Sequence, residues 1–203
     1  MTELLQFMAG LPWEGLAVLL AIAYLLLAAK ENILCWYCAF IYSGIYVVVF
    51  WDVNLLMESA LNVYYVLMAL VGWYQWRHGG ERHQGVAITR LSLRAHILIC
   101  CLIALLALVS GYLLSANSDA AWPYVDSFTT WASVITTVMV TRKILENWLY
   151  WIVIDAASMY LYYEKGYYPT LALFIFYTIM AAWGFKTWYE EYEQSQAKPL
   201  AQL

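Results

Sequence analysis

Trp148, Trp151, Asp155, Ser158 and Tyr162 follow one another at steps of three, four, three and four residues, the spacing that puts side chains on one face of an α-helix. Two indole faces and a carboxylate on one stripe form a receptor for a flat, positively charged molecule. The rings stack on it and attract its charge for roughly 0.5–2 kcal/mol each, and the carboxylate supplies the counter-charge. Asp155 lies near the middle of an apolar segment, Asn147–Tyr163. A charge at the centre of a bilayer costs at least about 2.5–3.5 kcal/mol on insertion scales, so an acid kept there marks a functional place. The competing reading makes Trp148 an interface anchor and lets Asp155 bond a hydroxyl of a neighbouring helix; the whole stripe favours a ligand site.

A complementary stripe runs through Glu58, Asn62 and Tyr65, with Trp73 or Trp76 lower down. Asn62 is an uncharged donor and acceptor, able to read a hydroxyl or an amide. Tyr65 and Tyr177 add hydroxyls. Glu58 sits one turn inside its segment and can reach headgroup water, so Asp155 is the stronger of the two carboxylates.

These residues stand in a chain of 203 residues that is 65% hydrophobic, 18% aromatic and only 12% charged. A soluble domain carries roughly 25% charge, so the solvent expected here is a membrane. Spans of about 17–25 apolar residues cross a bilayer core. Seven are predicted: Leu16–Ala29, Ile33–Phe50, Leu55–Trp76, Ala95–Leu114, Ser127–Val140, Asn147–Tyr163 and Thr170–Trp188. The first ten residues hold Glu3 and no Lys or Arg, unlike the basic start of a cleaved signal peptide.

Charge placement checks the count. Lys30, then Arg77, Arg82, Arg90 and Arg94, then Arg142 and Lys143, then Lys186 and Lys198 lie in alternate connections or after the last span, nine of the ten basic residues. The other connections hold Asp52, Asp119, Asp126, Glu164 and the tenth, Lys165. The positive-inside rule then predicts an outer (periplasmic) N-terminus and a cytoplasmic C-terminus. The Arg77–Arg94 loop, with His78 and His83, reads as a topological anchor and not as a nucleic-acid site.

The chain also repeats itself. Lys30-Glu31-Asn32 leads to Trp36 as Lys143, Glu146 and Asn147 lead to Trp151, with Trp five residues after Glu in both copies. Gly72-Trp73-Tyr74-Gln75-Trp76 closes one copy and Gly184-Phe185-Lys186-Thr187-Trp188 the other. Trp36 to Gly72 is 36 residues and Trp151 to Gly184 is 33, a drift of one turn. In this register Ser43 and Gly44 match Ser158. The expected fold is an all-α integral membrane protein, one transmembrane domain of seven helices in a parallel 3+1+3 duplication. Its parts are a first repeat over residues 12–76; a basic cytoplasmic loop, linker helix and outer loop over 77–126; a second repeat over 127–188; and a cytoplasmic tail over 189–203. Substrate sites in such duplicated transporters lie between repeats near mid-membrane.

Other functions fit less well. Intramembrane hydrolysis needs a Ser–His pair, a nucleophile elbow or two facing aspartates, and one mid-membrane Asp does not supply them. A retinal-type receptor needs a mid-helix Lys, whereas Lys186 is near an end. Cys35 and Cys38 form a C-x-x-C, but no further His or Cys joins them, and Cys100 and Cys101 also lie in an apolar run. No phosphate-binding loop occurs, and no cofactor is expected. A purely structural membrane protein has no use for the aromatic–carboxylate stripe.

Thr141-Arg142-Lys143, Glu146-Asn147-Trp148, Trp151 and Asp155, together with Asn62-Val63-Tyr64-Tyr65 and Gly72-Trp73-Tyr74-Gln75-Trp76, resemble the signature of the nicotinamide riboside transporter (PnuC) family. The resemblance runs from Trp13 to Trp188. It implies uptake of a vitamin precursor across the bacterial inner membrane by facilitated diffusion, followed by trapping through a cytoplasmic kinase. It also implies a fold similar to the SWEET sugar transporters, a homotrimer, a midplane site, and a substrate-binding role for Trp148 and Trp151. Where nicotinamide riboside transporters carry Asn on helix six this chain has Asp155, and where they commonly carry Gln on helix three it has Asn62. Relatives with altered pockets are linked to thiamine or riboflavin. Nicotinamide riboside and thiamine are both flat cations with hydroxyls; neutral riboflavin gives an Asp no purpose. Nicotinamide riboside is therefore the first expectation and thiamine the second.

Overall fold

The computed structural model of the protein describes residues 2–52, 56–80, 83–117, 122–164 and 166–197. Leu55, Arg82, Asp119, Lys165 and Lys198 lie outside the described residues. Seven α-helices are found among them: α1 (Thr2–Ala29), α2 (Cys35–Asp52), α3 (Leu56–His78), α4 (Leu93–Asn117), α5 (Pro123–Thr141), α6 (Asn147–Glu164) and α7 (Tyr168–Ala197). An apolar chain in hydrocarbon must satisfy its backbone internally, and helices do so within one segment. By length and composition alone α2, α4 and residues Thr170–Ala197 of α7 are long and apolar enough to cross a membrane. Gly15–Ala29 of α1 is a shorter apolar stretch among the described residues.

Each predicted span falls on one helix, with three informative differences at the ends. α1 begins far earlier than expected, and α7 runs nine residues past Trp188, through a Glu- and Gln-rich stretch of good helix formers. α2 begins two residues later than the predicted Ile33 because the turn before it is capped: Leu34 N–H donates to Asn32 Oδ1 at 2.9 Å.

The chain divides into two compact units, Met1–Ala87 and Ile88–Leu203. In the first, α2 packs on α1 and α3; in the second, α6 packs on α5 and α7, and α5 also on α4. The corner leaving α1 puts Glu31 in the left-handed region (φ 52°), with Glu31 N–H bonded to Ala28 O at 3.0 Å and Asn32 N–H to Leu27 O at 2.9 Å. The corner leaving α5 does the same with Lys143 (φ 49°), Lys143 N–H to Val140 O and Ile144 N–H to Met139 O, both 3.0 Å. Both are Schellman endings, and both use a side chain where glycine is usual.

The helix contacts repeat as closely as the corners. Trp36 meets Trp76 edge to face at 5.3 Å and 86°, and Trp148 meets Trp188 at 5.4 Å and 87°. The Trp36 ring lies on Gly72 and the Trp148 ring on Gly184, leaving no room for a Cβ at either glycine. Every matched pair is 112 residues apart: Glu31 and Lys143, Trp36 and Trp148, Gly72 and Gly184, Trp76 and Trp188. This corrects the register expected from the sequence. Trp36 corresponds to Trp148 and not Trp151, Ser43 corresponds to Asp155 and not Ser158, and the one-turn drift disappears.

α4 touches α5 through a narrow seam of Ile103, Ala107 and Gly111, with Trp131 Nε1 donating to Ser110 Oγ at 3.0 Å. Leu98, Leu105 and Leu108 face outward.

Gly72→Ala and Gly184→Ala are each expected to lower the melting temperature in detergent, by about 1–3 kcal/mol of overpacking. The added Cβ at residue 184 would stand 2.8 Å from the Trp148 ring, and that at residue 72 closer still to Trp36, so Gly72→Ala should be the worse. Unchanged melting of both would mean the seats are loose.

Candidate functional site

Asp155 is centred in α6, where the helix has left both ends behind, and is only 5% exposed. Among the described residues no hydrogen bond or ion pair reaches its carboxylate. Ser158, one turn on, is also buried. An acid this deep without a protein partner is available to a ligand.

Of the aromatic members of the stripe, Trp148 is 2% exposed, its ring taken up by Gly184 and Trp188. It offers no open face, which corrects the expectation of two indoles for a ligand. Its Nε1 is buried without a partner among the described residues. Trp151 is half-buried and packs beside Ile103, Ala132 and Ile154. Tyr162 stacks on Phe174 at 5.3 Å, and Phe174 meets Tyr177 edge to face at 5.8 Å, so the C-terminal end of α6 and the N-terminal part of α7 share an aromatic run.

In the first unit, Asn62 is buried and its Nδ2 donates to Glu58 O at 2.9 Å, one turn back on its own helix. The Glu58 side chain is exposed in the first turn of α3. Tyr65 is half-buried beside Tyr64 at 5.6 Å. Tyr65 and Tyr177 are 112 residues apart, so the two hydroxyls picked out from sequence hold matching positions in the two units.

Sequence reasoning matched Ser43 to Ser158 and left it out of the candidate site, and it passed over Thr136. Ser43 and Thr136 are fully buried, and neither hydroxyl has a partner among the described residues. Other helix hydroxyls here bond the carbonyl one turn back: Ser110 to Leu106 O at 2.6 Å, Thr137 to Ser133 O at 2.7 Å, Thr178 to Phe174 O at 2.9 Å. That self-satisfaction is the default in a helix. Ser43, at the position matching Asp155, departs from it. The signal in the sequence was the 112-residue register.

The basic end of the second unit is held by one carboxylate. Glu146, 6% exposed, takes Arg90 Nε at 2.9 Å and Leu91 N–H at 3.2 Å. Thr89 N–H bonds Lys143 O at 3.0 Å and Leu145 N–H bonds Thr89 O at 2.8 Å, a single parallel bridge. The hydrogen bond and charge of Glu146 hold the Arg90 guanidinium above its already high ordinary pKa. Beside this clamp His96 Nδ1 lies 3.0 Å from Tyr150 Oη, joining α4 to α6.

Residues 11–190 match the family model described as nicotinamide mononucleotide transporter. The chain belongs to this family. It is 23% identical over 217 residues to the nicotinamide riboside transporter PnuC of Escherichia coli (strain K12), an alignment covering 94% of this chain and 91% of that one. It is 22% identical over 127 residues to the riboflavin/roseoflavin transporter RibM of Streptomyces davaonensis, covering 60% of this chain and 59% of RibM. The crystal structure of the vitamin B3 transporter PnuC superposes with a TM-score of 0.69 at 22% identity, over 88% of this chain and 80% of that one. The seven helices are thus those of a transporter of the PnuC family, not of an enzyme.

Glu146→Ala is expected to destabilise the protein by about 1–3 kcal/mol, because it leaves Leu91 N–H without its acceptor and removes a charged bond. Arg90→Ala should cost less, since the Leu91 bond survives and Arg90 is half exposed. Thermal melts that rank the two the other way would contradict this account of the clamp.

Proposed function

We propose that this chain carries a cationic vitamin precursor across the bacterial inner membrane by facilitated diffusion, with nicotinamide riboside as the first substrate and thiamine as the second. The carrying observation is Asp155, deep in α6 and without a protein partner among the described residues. A buried carboxyl group suits either flat cation, and a neutral flavin gains nothing from it. The nicotinamide riboside transporters among the relatives and the family match of residues 11–190 support the first substrate.

In this reading Trp151 supplies the stacking face, Asp155 the counter-charge and Ser158 a hydroxyl. Asn62, Tyr65 and Tyr177 contribute polar contacts, and Glu58 draws the cation from headgroup water. Trp148 fixes α6 against α7 and acts on the substrate only by holding the stripe in place. Substrate entering by diffusion is trapped when a cytoplasmic kinase phosphorylates it. The two three-helix repeats run parallel in a SWEET-like 3+1+3 arrangement, with the N-terminus periplasmic, the C-terminus cytoplasmic and three copies assembled together.

Titration calorimetry of the purified protein against nicotinamide riboside, thiamine and riboflavin is the direct test. A cation is expected to bind and riboflavin not. Asp155→Ala should weaken cation binding by at least tenfold, about 1.4 kcal/mol, and Ser158→Ala by much less. Riboflavin binding alone, or equal small losses in both variants, would overturn the reading. Uptake into liposomes is expected without ATP and with no response to an imposed proton gradient; accumulation driven by that gradient would refute facilitated diffusion.

A further inference from the structure

The two units share their inner contacts but not their outer faces. On the outside of the first unit, Tyr37 and Phe40 of α2 and Leu70 and Trp73 of α3 wall a groove of about 330 Å³. Its floor is Trp36 and Ala69, both buried, and the small Ala69 makes the depression. Tyr37, Phe40 and Leu70 are 49%, 43% and 52% exposed, so the groove opens outward, where a membrane protein meets lipid. Trp73 Nε1 donates to Tyr37 Oη at 3.1 Å, which ties the two walls together.

At the end of the groove the Arg77 guanidinium lies over the Trp73 ring, 5.7 Å from its centre. Arg77 is exposed and belongs to the last turn of α3, at the basic end of the helix. The second unit keeps the floor, Trp148 and Ala181, but has Leu149, Ile152, Ala182, Phe185 and Tyr189 where the first has Tyr37, Phe40, Leu70, Trp73 and Arg77. It therefore lacks the tying bond and the cation. The rim charge and the tied walls are additions to a shared scaffold.

We propose that this groove is a binding site for an anionic phospholipid, one acyl chain lying between Tyr37, Phe40, Leu70 and Trp73 and the headgroup phosphate paired with Arg77. An apolar channel ending at one cation on an aromatic ring matches a molecule that is hydrocarbon along its length and negative at its end. Arg presents a planar fork of donors suited to phosphate.

Native mass spectrometry of the detergent-purified full chain, with phosphatidylglycerol and phosphatidylcholine of matched chains in equal amounts, tests this. Phosphatidylglycerol is expected to be retained about fivefold over phosphatidylcholine, the preference one basic side chain gives near an anionic headgroup. Arg77→Gln should bring the ratio to near one, whereas Lys186→Gln, on α7 and outside the groove, should leave it unchanged. Leu70→Trp, which fills the channel from an exposed position, should lower retention of both lipids. Equal retention by the unsubstituted protein, an unchanged ratio in Arg77→Gln, or the same fall in Lys186→Gln overturns the proposal. A lower oligomeric mass in Leu70→Trp with lipid retention intact overturns it too, and gives the groove to a second copy.

Discussion

An indole ring lying directly on a glycine backbone is the contact the rest of this protein is arranged around. Helices in hydrocarbon gain little by hiding apolar surface from one another, so close fit must hold them together. Trp36 on Gly72 and Trp148 on Gly184 provide that fit, and each indole is steadied edge-on by a second Trp one helical turn beyond the glycine. The joint fixes the rotation of α2 against α3 and of α6 against α7. With α6 locked in this way, Asp155 and Ser158 are directed inward and Val153 and Tyr160 outward.

The same rigidity explains how an acid can be kept in the interior. A lone carboxylate in a soft bundle would draw in a hydroxyl or turn toward the headgroups. Here Thr137 and Thr178 spend their hydroxyls on their own backbones, and the helix that bears Asp155 is held against rolling. The Glu146 clamp at one end and the Tyr162–Phe174 stack at the other hold α6 along its length. The polar groups left without partners, Ser43 and Thr136 among them, sit in a frame that does not collapse around them.

The helices were legible in the sequence because bilayer thickness sets their length and charge sets their ends. The family signature was legible too. The repeat register was not, and the reason is specific. Glu31-Asn32 and Glu146-Asn147 look like copies, yet Glu31 turns the α1 corner while Glu146 holds Arg90 and Leu91. Asn32 caps Leu34, whereas Asn147 Nδ2 donates to Ile144 O at 2.7 Å. Identical dipeptides three residues out of step do different work, and the true counterpart of Glu31 is Lys143, which resembles it only in backbone angle. The burial of Trp148 was equally hidden, since it depends on a glycine 36 residues away on another helix. Asp155 was readable because a charge in an apolar run stands out whatever surrounds it.

The constant spacing of 112 residues across one corner and the two helices that follow it in each unit carries a message about which genetic changes the fold tolerates. One residue gained or lost between Glu31 and Trp36, or between Lys143 and Trp148, would swing the following helix by about 100° and take its indole off the glycine. Substitutions on the lipid-facing sides disturb nothing comparable. Such a lineage should diverge widely in composition while holding its segment lengths almost frozen, so length, more than identity, is the trait by which its members can be told from chance resemblance.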